Sequence, residues 1–122
     1  MSESAAQVLV RLEAARKGVT LWRNNVGVLL DKRGVPVRYG LANDSSAVNS
    51  QFKSADLIGI RPLLITPAHV GLVVGQFVSR EIKAPGWRFS PNDPREAAQL
   101  RWAELVLSLG GDAAFATGEG SI

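Results

Sequence analysis

The chain has 122 residues, 46% of them hydrophobic and 20% charged, the proportions of one globular domain rather than a disordered chain. It has no cysteine and one histidine, His69, which excludes disulfide stapling, thiolate zinc sites, cysteine nucleophiles and multi-histidine metal sites; a Ser-His-Asp triad would have to use His69. Fourteen Lys plus Arg against eleven Asp plus Glu leave a net charge of +3, and ten of the fourteen are Arg, a side chain suited to bidentate phosphate contacts.

In chain order, Ala5, Val8, Leu9, Leu12 and Ala15 recur at helical spacing and predict a helix over 3–17, with Ser2 as N-cap and Lys17-Gly18 as stop. Residues 19–30 are rich in Val and Leu and predict a strand. Asp31-Lys32-Arg33-Gly34 is a turn, and 35–39 return as a second strand of a hairpin, with Pro36 suited to an edge. Residues 42–54 are mostly polar and predict a long loop. A strand over about 55–65 is interrupted at Thr66-Pro67 by a short turn or helical piece to Val70, and 71–83 predict another strand, ended by Ala84-Pro85-Gly86. Asp93 as N-cap, Pro94 at the first helical position and Glu96 closing a capping box open a helix. Its apolar face is Ala98, Trp102, Leu105, Val106 and Leu109, and Gly110-Gly111 end it. Residues 113–116 predict a last short strand and 117–122 a mobile tail. The order α-β-β-β-β-α-β predicts an α/β fold, a mixed sheet flanked by helices in one domain spanning 1–122.

No segment approaches the ~20 apolar residues of a membrane span, and Met1-Ser2-Glu3-Ser4 lacks the basic and apolar regions of a secretory signal. No membrane partner and a cytoplasmic location are therefore expected.

Two acids and a lysine stand out. In Arg80-Glu81-Ile82-Lys83, a strand puts Glu81 and Lys83 on one face, roughly 6.6 Å apart along the chain, and turns Ile82 to the core. A carboxylate beside an ammonium can hold a divalent cation and a polarised water, or form a plain surface ion pair. Asp56, on a strand with Ile58 and Ile60, needs a partner if buried: a metal ion shared with Glu81, or an Arg or Lys. Such a site has oxygen ligands only and suits a hard cation.

The runs Leu21-Trp22-Arg23-Asn24-Asn25-Val26-Gly27, Arg38-Tyr39-Gly40-Leu41, Ala55-Asp56-Leu57-Ile58-Gly59 and Glu81-Ile82-Lys83-Ala84-Pro85-Gly86, followed by Gln99 and Gly110-Gly111, resemble in order and spacing the VRR-NUC domain, a branch of the PD-(D/E)xK nuclease superfamily. The resemblance covers about residues 3–117 and is to the stand-alone, phage-type form, with nothing appended at either end. It implies a restriction-endonuclease-like core. It also implies that Asp56 and Glu81 are metal ligands with the Ile82 carbonyl as a third, Ala55 standing where the family has proline. Lys83 matches the lysine that orients or deprotonates the attacking water. Gln99 matches the family's helix glutamine, one turn after Arg95 on the same face; it also reads as a solvated helix residue. The family's first-helix glutamate falls best on Glu3, with Gln7 one turn on; Glu13 is the rival, and Glu3 also favours the helix dipole.

The implied cofactor is Mg2+ or Mn2+, with no organic cofactor. The implied activity is a metal-dependent DNA endonuclease, with branched DNA such as a four-way junction as substrate, acting in a bacterial host cell. Arg23, Asn24 and Asn25 suit phosphate and sugar contacts, or a strand end with a bulge at Gly27. Arg38, Arg95 and Arg88 add phosphate contacts. Trp87 and Phe89, flanking Arg88, suit stacking on an unpaired base or covering the core under a loop. Leu63, Leu64, Ile65, Val70, Leu72 and Val73 form an apolar group that either closes the protomer's core or pairs two copies as a homodimer. Two other functions compete: a nucleic-acid-binding module with the nuclease fold but little cleavage, and a small structural protein of a phage particle, which gives Asp56 and Glu81 no reason to converge.

Overall fold

The computed structural model describes residues 2–122. They form two compact units, one ending at Gly59 and one running from Ile60 onward. Among the described residues three α-helices and six short strands alternate in a mixed α/β arrangement, and the strands pair two by two: β1 with β4, β2 with β3, β5 with β6.

The first unit begins with α1 (Glu3–Arg16). Ser2 caps it, its hydroxyl accepting from the Ala5 N–H at 3.1 Å, and Glu3 lies in the first turn. Only Ala14 of this helix is buried; Leu9 and Leu12 are exposed. The single strand expected over 19–30 is two strands, β1 (Thr20–Arg23) and β2 (Gly27–Leu30). The break has a cause: the Asn24 N–H donates to the Asp56 carbonyl at 2.8 Å, beside the β4 partner of β1, whereas Gly27 is already paired with Tyr39 of β3. The chain changes partners between them.

The hairpin therefore joins β2 to β3 (Pro36–Tyr39), antiparallel, with Val28 opposite Arg38 and Leu29 opposite Val37. A Cβ at Gly27 would run into the Tyr39 phenol. Asp31 organises the turn, Oδ1 accepting from the N–H of Arg33 at 2.8 Å and of Val35 at 2.9 Å.

The long loop expected over 42–54 contains a helix, α2 (Ser46–Gln51), which Ser45 caps through Val48 N–H. Its residues carry no apolar stripe, so helical spacing could not reveal it. β4 (Leu57–Ile60) is much shorter than the strand expected over 55–65; Pro62 follows it and has no N–H to donate to a ladder. A side chain at Gly59 would overlap the Thr20 carbonyl, so this glycine permits the close approach of β1.

In the second unit, the turn over 66–70 is a 3-10 helix at Pro67–His69. The strand expected over 71–83 is confined to β5 (Val78–Ile82); residues 71–76 stay irregular, and Phe77 meets β6 through its carbonyl, which accepts from Asp112 N–H at 2.8 Å. α3 (Pro94–Ser108) is capped by Asp93, whose Oδ1 accepts from Arg95 and Glu96 N–H. The expected capping box does not close: the Asp93 N–H donates to Ser90 O, and Glu96 turns its carboxylate elsewhere. The buried stripe of α3 is Ala103 and Val106, while Trp102 and Leu105 lie towards solvent. β6 (Asp112–Ala116) pairs parallel to β5, from Val78 opposite Asp112 to Ile82 opposite Ala116. Arg80 ties this pair to the chain end, donating to Asp112 Oδ2 at 2.8 Å and to the carbonyl and hydroxyl of Ser121.

Two outcomes follow. Val106 is fully buried, so Val106→Ala should destabilise the second unit by about 2 kcal/mol in thermal or urea unfolding. The hydrogen bond from Val35, reinforced by those from Arg33, holds the Asp31 carboxyl below its usual 3.8. The turn is therefore stabilised above the unfolded carboxyl's pKa, and loses that contribution as pH falls through the lowered value. Titration of the Arg33 and Val35 amide resonances should give a midpoint below 3.8, absent in Asp31→Asn.

Candidate active site

In the second unit the site is built on β5 and roofed by α3. Period-two alternation places Ser79 and Glu81 on the face under α3. Ile82 consequently turns outward and is 70% exposed, which corrects the expectation that it enters the core. Lys83 extends the ladder one residue past β5, its N–H donating to Ala116 O at 2.9 Å, so the backbone carrying Glu81, Ile82 and Lys83 is held by β6.

Three of the expected site residues meet here. Gln99 Nε2 donates to Glu81 Oε1 at 2.8 Å, and Lys83 Nζ lies 3.9 Å from the same oxygen. Because a carboxylate only accepts, the amide nitrogen of Gln99 must face Glu81. Its Oε1 is then left buried without a hydrogen-bond partner among the described residues. The Lys83 side chain is 17% exposed, with its ammonium 5.6 Å from the centre of the Trp87 ring, a cation–π distance. Arg95, one turn before Gln99, lines the same cleft of about 390 Å³ beside Glu81 and Trp102. Alanines at 98, 103, 113 and 114 open that cleft between helix and strands.

Trp87 does not stand free for a base. Its ring packs 4.8 Å from Phe115, with Phe89 6.0 Å from Phe115, and its Nε1 donates to Glu96 Oε1 at 2.6 Å. Of the two readings for the Trp87–Phe89 pair, the cluster over Phe115 is the one the contacts describe. Arg88 is exposed.

In the first unit, Asp56 sits at a bend just before β4, not on its face, and is exposed. The desolvation argument for a partner therefore does not apply to it. Asp56 shares a groove with Glu3 and Gln7 of α1. Glu13, the rival first-helix acid, lies outside the residues lining that groove and pairs with Lys17 at 3.6 Å.

Arg23 and Asn25 are exposed. Asn24 is a strut: its amide donates to Ser54 Oγ and Ala55 O, and its oxygen accepts from Leu41 N–H. Arg38 is half-buried and donates to Asn43 Oδ1 at 2.7 Å. His69 accepts from Thr66 N–H through Nδ1 at 3.0 Å, a cap of its own turn.

Taken singly, Glu81 and the Ile82 carbonyl in the second unit and Asp56 in the first are oxygen donors, the type a hard divalent ion takes. The orphaned Gln99 Oε1 adds an oxygen near Glu81. Among the described residues no three His, Cys, Asp or Glu side chains cluster. No helix among the described residues is long and apolar enough to cross a membrane. The chain matches no family model, no curated protein and no solved structure.

The sequence reading passed over Asn43, Asn49 and Lys53, which lie in the polar stretch taken as loop; their only signal was a density of amides within eleven residues. Glu96 was assigned to a helix cap, and its bond to Trp87 was missed. Glu96→Gln should weaken that charge-assisted bond, moving the Trp87 indole N–H resonance and lowering stability by about 1–2 kcal/mol; an unmoved indole resonance would dismiss the contact.

Proposed function

We propose that this protein is a divalent-metal-dependent DNA endonuclease of the VRR-NUC type. The observation that carries the reading is the arrangement of Glu81, Lys83 and Gln99: a carboxylate, an ammonium and an amide gathered at one carboxylate oxygen. Asp56 and Glu3 in one groove of the first unit support it, since those are the acids the family pattern requires.

In this reading Asp56, Glu81 and the Ile82 carbonyl would hold Mg2+ or Mn2+, an assignment that rests on the resemblance to the family. The ion, when bound, supplies positive charge for the scissile phosphate and acidity for a water. Lys83, held near Glu81 and the Trp87 ring, would orient the attacking water as an ammonium or, as the neutral amine, accept its proton. Gln99 fixes the rotamer of Glu81 through its amide nitrogen. Arg95, beside the cleft, and the exposed Arg23 and Arg88 neutralise strand phosphates, and the exposed Asn25 offers one a hydrogen bond.

The same reading makes the protein a homodimer that prefers branched DNA. Leu64, Val70 and Val73 are 83%, 83% and 99% exposed, so this group does not close the protomer's core, and an apolar patch of that kind fits a second copy. Two active sites in fixed relation cut two strands of a four-way junction.

Asp56→Ala or Glu81→Ala should abolish Mn2+-dependent nicking of supercoiled plasmid with circular dichroism unchanged; retained cleavage removes that residue from the site. Lys83→Ala should still bind DNA and cut roughly 10² to 10⁴-fold more slowly. Wild-type protein that retains DNA but never nicks it would leave a binding module instead. Light scattering showing only monomer would sink the dimer. Equal rates on junction and linear duplex at one salt concentration would sink the junction preference.

A further inference from the structure

Apart from the groove shared by Glu3 and Asp56, the first unit contains a polar pocket of about 300 Å³ whose polar side is formed by Arg38, Asn43, Asn49, Lys53 and Ser54. Its chemistry is one-sided. Asn43, 3% exposed, donates from its amide nitrogen to Gly27 O at 2.8 Å and Tyr39 O at 2.9 Å. Both donors being used by backbone carbonyls, its oxygen is fixed in direction, and it accepts from Arg38 Nη1 at 2.7 Å. A buried amide thus sets the guanidinium in place. Arg38 forms no ion pair among the described residues, and most of its N–H groups have no protein acceptor.

Lys53 comes from the other side. Its ammonium donates to Asn49 Oδ1 one turn earlier, which orients it, leaves two of its N–H donors over and frees the Asn49 amide nitrogen to donate. The Ser54 hydroxyl is spent between Asn24 and Leu41. No carboxylate lines the pocket. Two cations and an amide donor on one concave surface, with no carboxylate in its lining, suit an acceptor-only anion. The planar fork of Arg and the point charge of Lys are the usual pair for a phosphate.

We propose that the Arg38–Lys53 pocket binds a phosphate group, and that the phosphate is a backbone diester of a nucleic-acid strand; the second clause rests on the nuclease reading, whereas free phosphate offers the pocket the same oxygens. Binding there would hold a strand on the first unit by a contact that carries no base sequence.

The test uses full-length protein in EDTA, so that nothing is cut. Inorganic phosphate, titrated at constant ionic strength against chloride, should shift the Asn43 and Asn49 side-chain amide resonances and the Arg38 Nε–H saturably, and Lys53→Ala should remove most of that response. A labelled 20-base-pair duplex should bind Lys53→Ala about eightfold more weakly than wild type at ~0.1 M salt, with the log–log salt slope smaller by about one. Lys53→Glu should be weaker still. Lys53 is exposed, so these variants leave the fold alone; Arg38→Lys, which keeps charge but loses the fork, should show an intermediate loss. DNA binding and salt slope unchanged in Lys53→Ala, with no phosphate response, would overturn the pocket while the nuclease reading stood. A phosphate response in a protein that binds no DNA would overturn the nucleic-acid source, and with it the nuclease reading.

Discussion

Parallel strands cannot be joined by a tight turn; the chain must leave the end of one and return to the start of the next. β5 and β6 are parallel, so the residues between them have to cross over, and α3 is that crossover. Its stripe of Ala103 and Val106 seals it on the strands. Once it is sealed, Gln99, one turn before Ala103 on the helix, lies over the face of β5 that carries Glu81. The 2.8 Å bond between them follows from the topology, and so does the outward turn of Ile82, since a strand roofed on one face sends alternate residues to the other.

The first unit is organised by side-chain amides more than by its core. Asn24 binds the segment at 54–55 and the Leu41 N–H, and Asn43 binds both arms of the β2–β3 hairpin near its open end. Each satisfies several groups at once, which is how a short sheet with little buried apolar surface holds its connections. These struts also decide what remains free: Asn24 is used up by the fold, whereas Asn43 passes its direction on to Arg38 and leaves the guanidinium's other donors available.

Much of the local structure was legible because it depends on neighbours in sequence. Ser2 and Asp93 cap helices where cap residues precede apolar periodicity, and the Asp31 turn closes as its side chain dictates. The errors share a cause. The strands expected at 19–30, 55–65 and 71–83 were drawn from runs of Val, Leu and Ile, but a strand exists only where a partner accepts its hydrogen bonds. The partner changes at Asn24, Pro62 stops one strand, and residues 71–76 join no strand pair among the described residues. α2 was hidden because its helix is fixed by the Ser45 cap and not by an apolar face. Of the site residues, Glu81 and Lys83 were named from their spacing on a strand and Gln99 from the family resemblance, and the three stand together. Asp56 was given a buried place it does not have, and Lys53 was overlooked in a polar run.

By itself the sequence determined an α/β chain without cysteine chemistry or a membrane helix, the caps and turns of its elements, and the short list of carboxylates and cations from which a site has to be drawn. These are properties of composition and of contacts within a few residues. The tertiary structure alone decided which side chains are used by the fold and which are left over. Gln99 gives its nitrogen to Glu81 and keeps an unpartnered oxygen, Trp87 is occupied by Phe115 and Glu96, and Arg38 is aimed by a buried Asn43. The physical reason is that a hydrogen-bonding group's availability is a remainder, known only after every nearby donor and acceptor has been matched. Its side-chain bonds alone join residues up to 31 positions apart in the first unit and 41 in the second, beyond the reach of any local pattern.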